Sequence, residues 1–158
     1  MKASDIERLI FSPFHTSKIL HHFLSGAKSV NSKCIKTELV YLALPFIYNK
    51  QAQNKLKFLN KNSKFNPFIE NKDFDIFRSS LNQKINDYRE ITNTAIIMLA
   101  NEIDLEIDKY LMPSTDIQFN TEKDIYLKPI YKSSYNLGVI LGKEQYLSVF
   151  KKLRITEI

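Results

Sequence analysis

TNTAIIMLANEIDLEIDKYLMP, residues 92–113, changes its hydrophobic period halfway along, and the reading of that change decides the fold. Thr92 and Asn93 are residue types that cap helices, so the spacing predicts a helix over TAIIMLANEI. It is almost wholly apolar and is expected to be central. From Ile103 the period shortens to two: Ile103, Leu105 and Ile107, then Tyr110 and Leu111, alternate with acids as in a strand. Pro113-Ser-Thr-Asp turns the chain, and Gln118–Phe119 and Ile125–Tyr126–Leu127 are candidate partner strands. Upstream, a helix is expected from Asp73 or Asp75 to about Glu90, with Phe74, Phe77, Leu81, Ile85 and Tyr88 at helical spacing. Two helices followed by a strand hairpin is the winged-helix order.

Working outward, Ser12 and Pro13 open a helix whose Phe14, Ile19, Phe23 and Leu24 share a face and which Gly26 is expected to end. A second begins near Ile35, with Leu39, Leu42, Phe46 and Ile47 inward. Pro45 must kink or restart it, because proline has no amide hydrogen and clashes with the preceding turn. Lys50 to Leu59 continues as an amphipathic helix, and NKNSKFNPF, residues 60–68, reads as a loop. Two short helices, Ser134–Leu141 and Glu144–Leu153, close the chain around Gly142. The expected fold is mainly α with a small β hairpin. It is a single domain over 1–158, with a winged-helix-like core at about 73–130 and packed flanking helices, the C-terminal ones at about 132–153.

Composition narrows the function. With 158 residues, 44% hydrophobic and 25% charged, the chain can bury a proper core, and three glycines and five prolines are too few for a loop-rich all-β protein. No run approaches the roughly 20 apolar residues of a membrane helix, and the N-terminus reads as no signal peptide, so a cytoplasmic protein without membrane contact is expected. The single cysteine excludes an internal disulfide and a cysteine-based zinc site. His15, His21 and His22 have no acid or cysteine at ligand spacing, so no metal site is expected. Cys34 precedes an apolar helix and reads as a buried structural thiol. Glu102, Asp104, Glu106 and Asp108 fall along one strand face and read as solvated charges. No glycine-rich phosphate loop is present. The chain is read as no enzyme, with no cofactor.

The basic segment stands out. The formal net charge is +6, and between Glu38 and Glu70 there is no acidic residue but five lysines: Lys50, Lys55, Lys57, Lys61 and Lys64. They are the candidate partner-binding or DNA-binding residues, with Lys50, Lys57 and Lys61 on one helical side at i, i+7 and i+11. A winged-helix DNA-binding regulator is the alternative function, although Ala95–Ala100 offers almost no polar side chain with which to read bases.

ERLIFSPFHTSKILHHFLSG, LVYLALPFIYNKQAQNKL, a long helix with Arg78 and Leu81, TNTAIIMLANEIDLEI and the tail YNLGVILGKEQYLSVFKKLRI follow one another in this order. Together, and most closely in Leu42–Ala43–Leu44–Pro45 and in Leu137–Gly138, they resemble the middle component of bacterial ABC three-component systems, as in the Lamassu type. The resemblance implies a small, helical, winged-helix-like accessory subunit in anti-phage or anti-plasmid defence. It would bridge an SMC- or Rad50-like ABC ATPase and a nuclease-type effector. The lysines would hold DNA nonspecifically within the assembly, and the resemblance transfers no catalytic residue. It also implies that Val40 to Phe46 is a core helix kinked at Pro45 and packed against Ala95–Leu99.

Overall fold

The computed structural model describes residues 2–158. The elements are, in chain order, α1 (Ala3–Ile10), α2 (Pro13–Lys28), β1 (Ile35–Lys36), α3 (Thr37–Val40), α4 (Ala43–Ile47), α5 (Lys50–Leu56), α6 (Phe65–Ile69), α7 (Lys72–Glu102), β2 (Leu105–Ile107), β3 (Tyr110–Pro113), a single 3-10 turn (Phe119–Thr121), α8 (Leu127–Gly142) and α9 (Tyr146–Leu153). The fold is mainly helical with one small antiparallel sheet.

The two helices expected between residues 73 and 103 are one. α7 runs unbroken for 31 residues from its cap Asn71, whose side chain accepts from the Asp73 amide. Thr92, Asn93 and Thr94 cap nothing. Thr94 Oγ1 donates to the Glu90 carbonyl one turn back at 2.9 Å, and Asn93 Oδ1 accepts from the Tyr41 hydroxyl at 2.7 Å. Thr92 is itself buried. The inward stripe of Phe74, Phe77, Leu81, Ile85, Thr92, Ala95 and Leu99 keeps helical spacing straight through the expected break. The apolar segment is therefore not central: Ile97 is 63% exposed and only one face is covered.

The stretch expected as one strand from Ile103 to Leu111 is instead folded back on itself. It bends at Asp108–Lys109, short of the expected turn at Pro113, and β2 pairs with β3, Leu105 opposite Pro113 and Ile107 opposite Leu111. Its further partner is a surprise. Ile35 and Lys36 pair antiparallel with Leu111 and Tyr110, giving the order β1-β3-β2. Neither candidate wing strand is one. Phe119 begins the 3-10 turn, and Leu127 begins α8, prepared by Asp124, whose Oδ1 accepts from the Tyr126 and Leu127 amides. Ile125 and Tyr126, which gave that stretch its strand-like look, are more than 70% exposed. The winged-helix order is thus corrected: one helix precedes the hairpin, and the third strand comes from residues 35–36.

The core is built on α2 against α8. Ser12 caps α2 and Pro13 takes its first position, as expected. Gly26 does not end the helix. It lies inside it, where a Cβ would stand 2.0 Å from the Tyr135 carbonyl oxygen, just as a Cβ on Gly138 would stand 1.9 Å from that of Phe23. These glycines let the two backbones touch. Ser134 Oγ then donates to the Ile19 carbonyl at 2.7 Å. Phe14 leaves its expected inward face and is 57% exposed.

Pro45 sits in the first turn of α4, and its ring would clash with the carbonyl of Tyr41 in a continuous helix. The chain breaks there, between α3 and α4, and restarts. Leu42 to Ile47 are all buried. The Phe46 ring meets that of Phe77 edge-on at 4.9 Å and lies beside Phe68 and Phe74, while Ala95 and Leu99 belong to the same buried cluster. Phe68 comes from α6, a helix within the expected loop, where Phe65 and Ile69 are buried too. Among the α-helices α1 alone has no buried residue. The Tyr48 hydroxyl donates to the Ile10 carbonyl at 2.7 Å, and Phe11 packs against the rings of Tyr48 and Tyr88.

Candidate functional site

The five lysines occupy α5 and the chain that leaves it. Asn49 caps α5 by accepting from the Ala52 amide, and Ala52 and Leu56 turn inward. The helix stops at Leu56, earlier than its amphipathic pattern implies. Asn136 of α8 causes the stop to be comfortable: its buried amide nitrogen donates to the carbonyls of Leu56 and Leu59, both at 2.8 Å. Helix-end carbonyls that would otherwise lack partners are thereby satisfied.

That early stop rearranges the site. Lys50, Lys57 and Lys61 cannot share a helical side at i, i+7 and i+11, because Lys57 and Lys61 lie past the last helical residue. Instead Lys55 and Lys64 come together on the rim of a groove of about 590 Å³, floored by Phe58, Leu59, Pro67 and Phe68. Glu70 and Asn71 close one end. Phe58 is 78% exposed, and the Lys57 ammonium lies over its ring at 5.0 Å. Lys50, Lys61 and Lys64 are exposed; Lys55 and Lys57 are half-buried.

Lys143, which sequence spacing could not connect to this segment, holds the groove loop in place. Its Nζ donates to the carbonyls of Lys61 and Ser63, the second at 3.0 Å. The site is therefore a basic rim around an apolar, partly aromatic floor. Such a surface suits a ligand carrying both acidic and apolar groups.

The other singled-out residues have structural surroundings. His15 and His22 face the Tyr131 ring, His22 stacked on it at 4.5 Å, while the His21 ring nitrogen Nε2 lies 2.7 Å from the Thr115 carbonyl. Burial, aided by the charges of His21 and Lys18, pushes the His22 imidazole down to about 3. Cys34 is buried with φ 61, its thiol donating to the Leu24 carbonyl at 3.3 Å. Burial raises that thiol to about 12, far from a thiolate at neutral pH. Glu102, Asp104, Glu106 and Asp108 are exposed around β2. Among the described residues no group of three or more His, Cys, Asp or Glu is placed to hold a metal, and no helix is long and apolar enough to cross a membrane.

A second cavity, of about 400 Å³, lies between β1 and the α8–α9 turn. Its aromatic side is filled from within, since the Lys36 ammonium lies over the rings of Tyr110 and Tyr146 at 4.7 and 5.3 Å.

Neither a curated protein nor a solved structure matches the chain. A family model does, that of the ABC-three component (ABC-3C) system Middle Component 3, and it matches residues 1–157. The match takes in α1, the lysine-rich groove and the α2–α8 core alike. The chain belongs to this family, and it is an accessory middle component of ABC three-component defence systems, which act with partner subunits.

Proposed function

We propose that this chain is a non-catalytic subunit that bridges an SMC- or Rad50-like ABC ATPase and a nuclease-type effector in anti-phage or anti-plasmid defence of the Lamassu type. Lys50, Lys55, Lys57, Lys61 and Lys64 form its basic contact surface. The observation that carries this reading is the family match over residues 1–157. The lysine-rimmed groove supports it, because it offers a partner both charge and apolar area. A sequence-reading DNA regulator is disfavoured. Residues 93–101 continue α7 instead of forming a separate recognition helix.

The test is coexpression with the two neighbouring gene products and isolation of the complex through a tag on this chain. A ternary complex is expected, reduced to the separate partners when this chain is omitted. Recovery of ATPase and effector together without it sinks the bridging role. Replacing Lys55, Lys61 and Lys64 by glutamine should leave stability within about 0.5 kcal/mol of wild type, as for most surface changes. The same variant should lose partner binding most visibly at low salt, where screening is least.

A further inference from the structure

α1 is an amphipathic helix whose apolar face is only partly covered. At about 100° per residue, Ile6, Leu9 and Ile10 fall on one side, Asp5 and Glu7 flank them on either edge, and Ser4 and Arg8 take the back. Ile6, Leu9 and Ile10 are 47%, 62% and 40% exposed. Neither Asp5 nor Glu7 is in an ion pair among the described residues. A helix of eight residues is short of the about 12–15 needed to hold itself in water. Asp5, accepting from the Lys2 amide, and Tyr48, donating to the Ile10 carbonyl, tie its two ends, and its apolar side has room for a cover. That cover must be apolar in the middle and basic at its edges.

The molecule carries one such surface, and it is equally uncovered. The groove floored by Phe58, Leu59, Pro67 and Phe68 has Lys55 and Lys64 on its rim, with Lys57 and Lys61 on the chain beside it. Glu70 is the single acid that lines it. Phe58 leaves most of its ring in water. An aliphatic stripe edged by two carboxylates and an aromatic floor edged by lysines are complementary in both shape class and sign.

We infer that α1 of one copy seats in the Lys55–Phe58–Lys64 groove of a second copy, Ile6, Leu9 and Ile10 covering Phe58 and Pro67 while Asp5 and Glu7 meet the lysines. This rests on the reading of the lysine segment as a contact surface and names one of its occupants. The contact is heterologous: each copy offers a different surface to each neighbour. It therefore builds a ring or an open row and does not stop at a two-fold pair.

The experiment is sedimentation velocity on the full chain from low micromolar to near-millimolar concentration, with Leu9→Asp and Phe58→Asp variants. Both substitutions fall on exposed side chains, and circular-dichroism melts confirm that each variant is folded. Wild type should form species larger than a dimer as concentration rises, and either variant alone should stay monomeric. An equimolar mixture of the two should form a dimer and nothing larger, because only one intact helix can meet one intact groove. Asp5→Lys with Glu7→Lys should weaken assembly roughly tenfold, with recovery on mixing with Lys55→Glu plus Lys64→Glu. A wild type that is monomeric throughout, a variant that still assembles alone, or a mixture that yields no dimer each overturns the inference. In the first of those cases the groove is left to DNA or another subunit. Bridging is read separately by the coexpression experiment, so either idea can fail without the other.

Discussion

His22 is the residue whose chemistry most directly links the core to solution conditions. Its imidazole is stacked on Tyr131, its Nδ1 is buried without a partner, and burial holds its pKa near 3 against an ordinary 6.5. Below pH 6.5 the unfolded chain takes up a proton that the folded chain refuses until about pH 3. Stability must then fall as pH drops through that window, by at most about 1.4 kcal/mol per pH unit. His22→Phe keeps the stack and gives up no hydrogen bond at Nδ1, so it should flatten this acid dependence. Urea unfolding at about pH 7.5 and about pH 5 measures it. His15, lowered by burial as well, leaves part of the slope in place. The glycines make a second residue-scale case. Gly138→Ala drives a methyl into the Phe23 carbonyl and toward the Ala27 amide, both backbone and unable to yield. It should cost at or above the upper end of the about 1–3 kcal/mol typical of overpacking. Gly142→Ala, whose nearest contacts are 3.0 Å away, should cost less in the same thermal melts.

At the scale of elements, α7 tests what a capping residue means. Asn93→Gly in a helix interior should cost only a few tenths of a kcal/mol through propensity, since Asn is itself a poor helix former, and about 1 kcal/mol in all because the Tyr41 hydroxyl loses its acceptor. At a true N-cap the same change would cost only a few tenths. Asn71→Ala, at the real cap, should cost about 1 kcal/mol in the same urea titrations. The continuous stripe from Phe74 to Leu99 was present in the residue spacing all along. Thr92 and Asn93 suggested a boundary because their side chains can cap, but Asn93 accepts from Tyr41 instead, and Thr92 is simply buried with its hydroxyl unpaired among the described residues. Strand character at Ile103–Leu111 was legible because Ile103, Leu105 and Ile107 announce a period of two, though not the bend at Asp108–Lys109 that splits it into β2 and β3. β1 was not, since two residues carry no period, and its pairing with Leu111 depends on tertiary placement. The start of α8 was hidden by Ile125 and Tyr126, residues that favour strands but here stand in solvent ahead of the helix.

For the whole molecule, charge marked the site and topology shaped it. The acid-free segment from residue 39 to 69 is visible in composition alone. Its groove is not, because Phe68 belongs to a helix hidden in an apparent loop, while Asn136 and Lys143 reach the segment from about 80 residues away. The grouping of lysines therefore differs from the one helical periodicity implies. Neutralising Lys55 and Lys64 to glutamine should weaken partner binding more than neutralising Lys50 and Lys57, at equal change in net charge and with unchanged melting temperature. Pull-downs at two salt concentrations compare them, the difference shrinking as screening rises. Equal losses from both pairs would reduce the groove to one patch of a diffuse positive field.

The glycine-lined contact between α2 and α8 also fixes when this protein can exist. Ser134 and Ile19, joined across that contact, are 115 residues apart. During synthesis α2 leaves the ribosome well before the backbone surface it is shaped to meet. Until α8 emerges, the nascent chain can cover α2 only from the α4 and α7 sides, which leaves its glycine-lined face open. The lysine groove has to wait as well, because Asn136 and Lys143 brace it from that same later segment. A chain stalled on the ribosome before Leu127 would therefore carry neither the α2–α8 contact nor the braced groove.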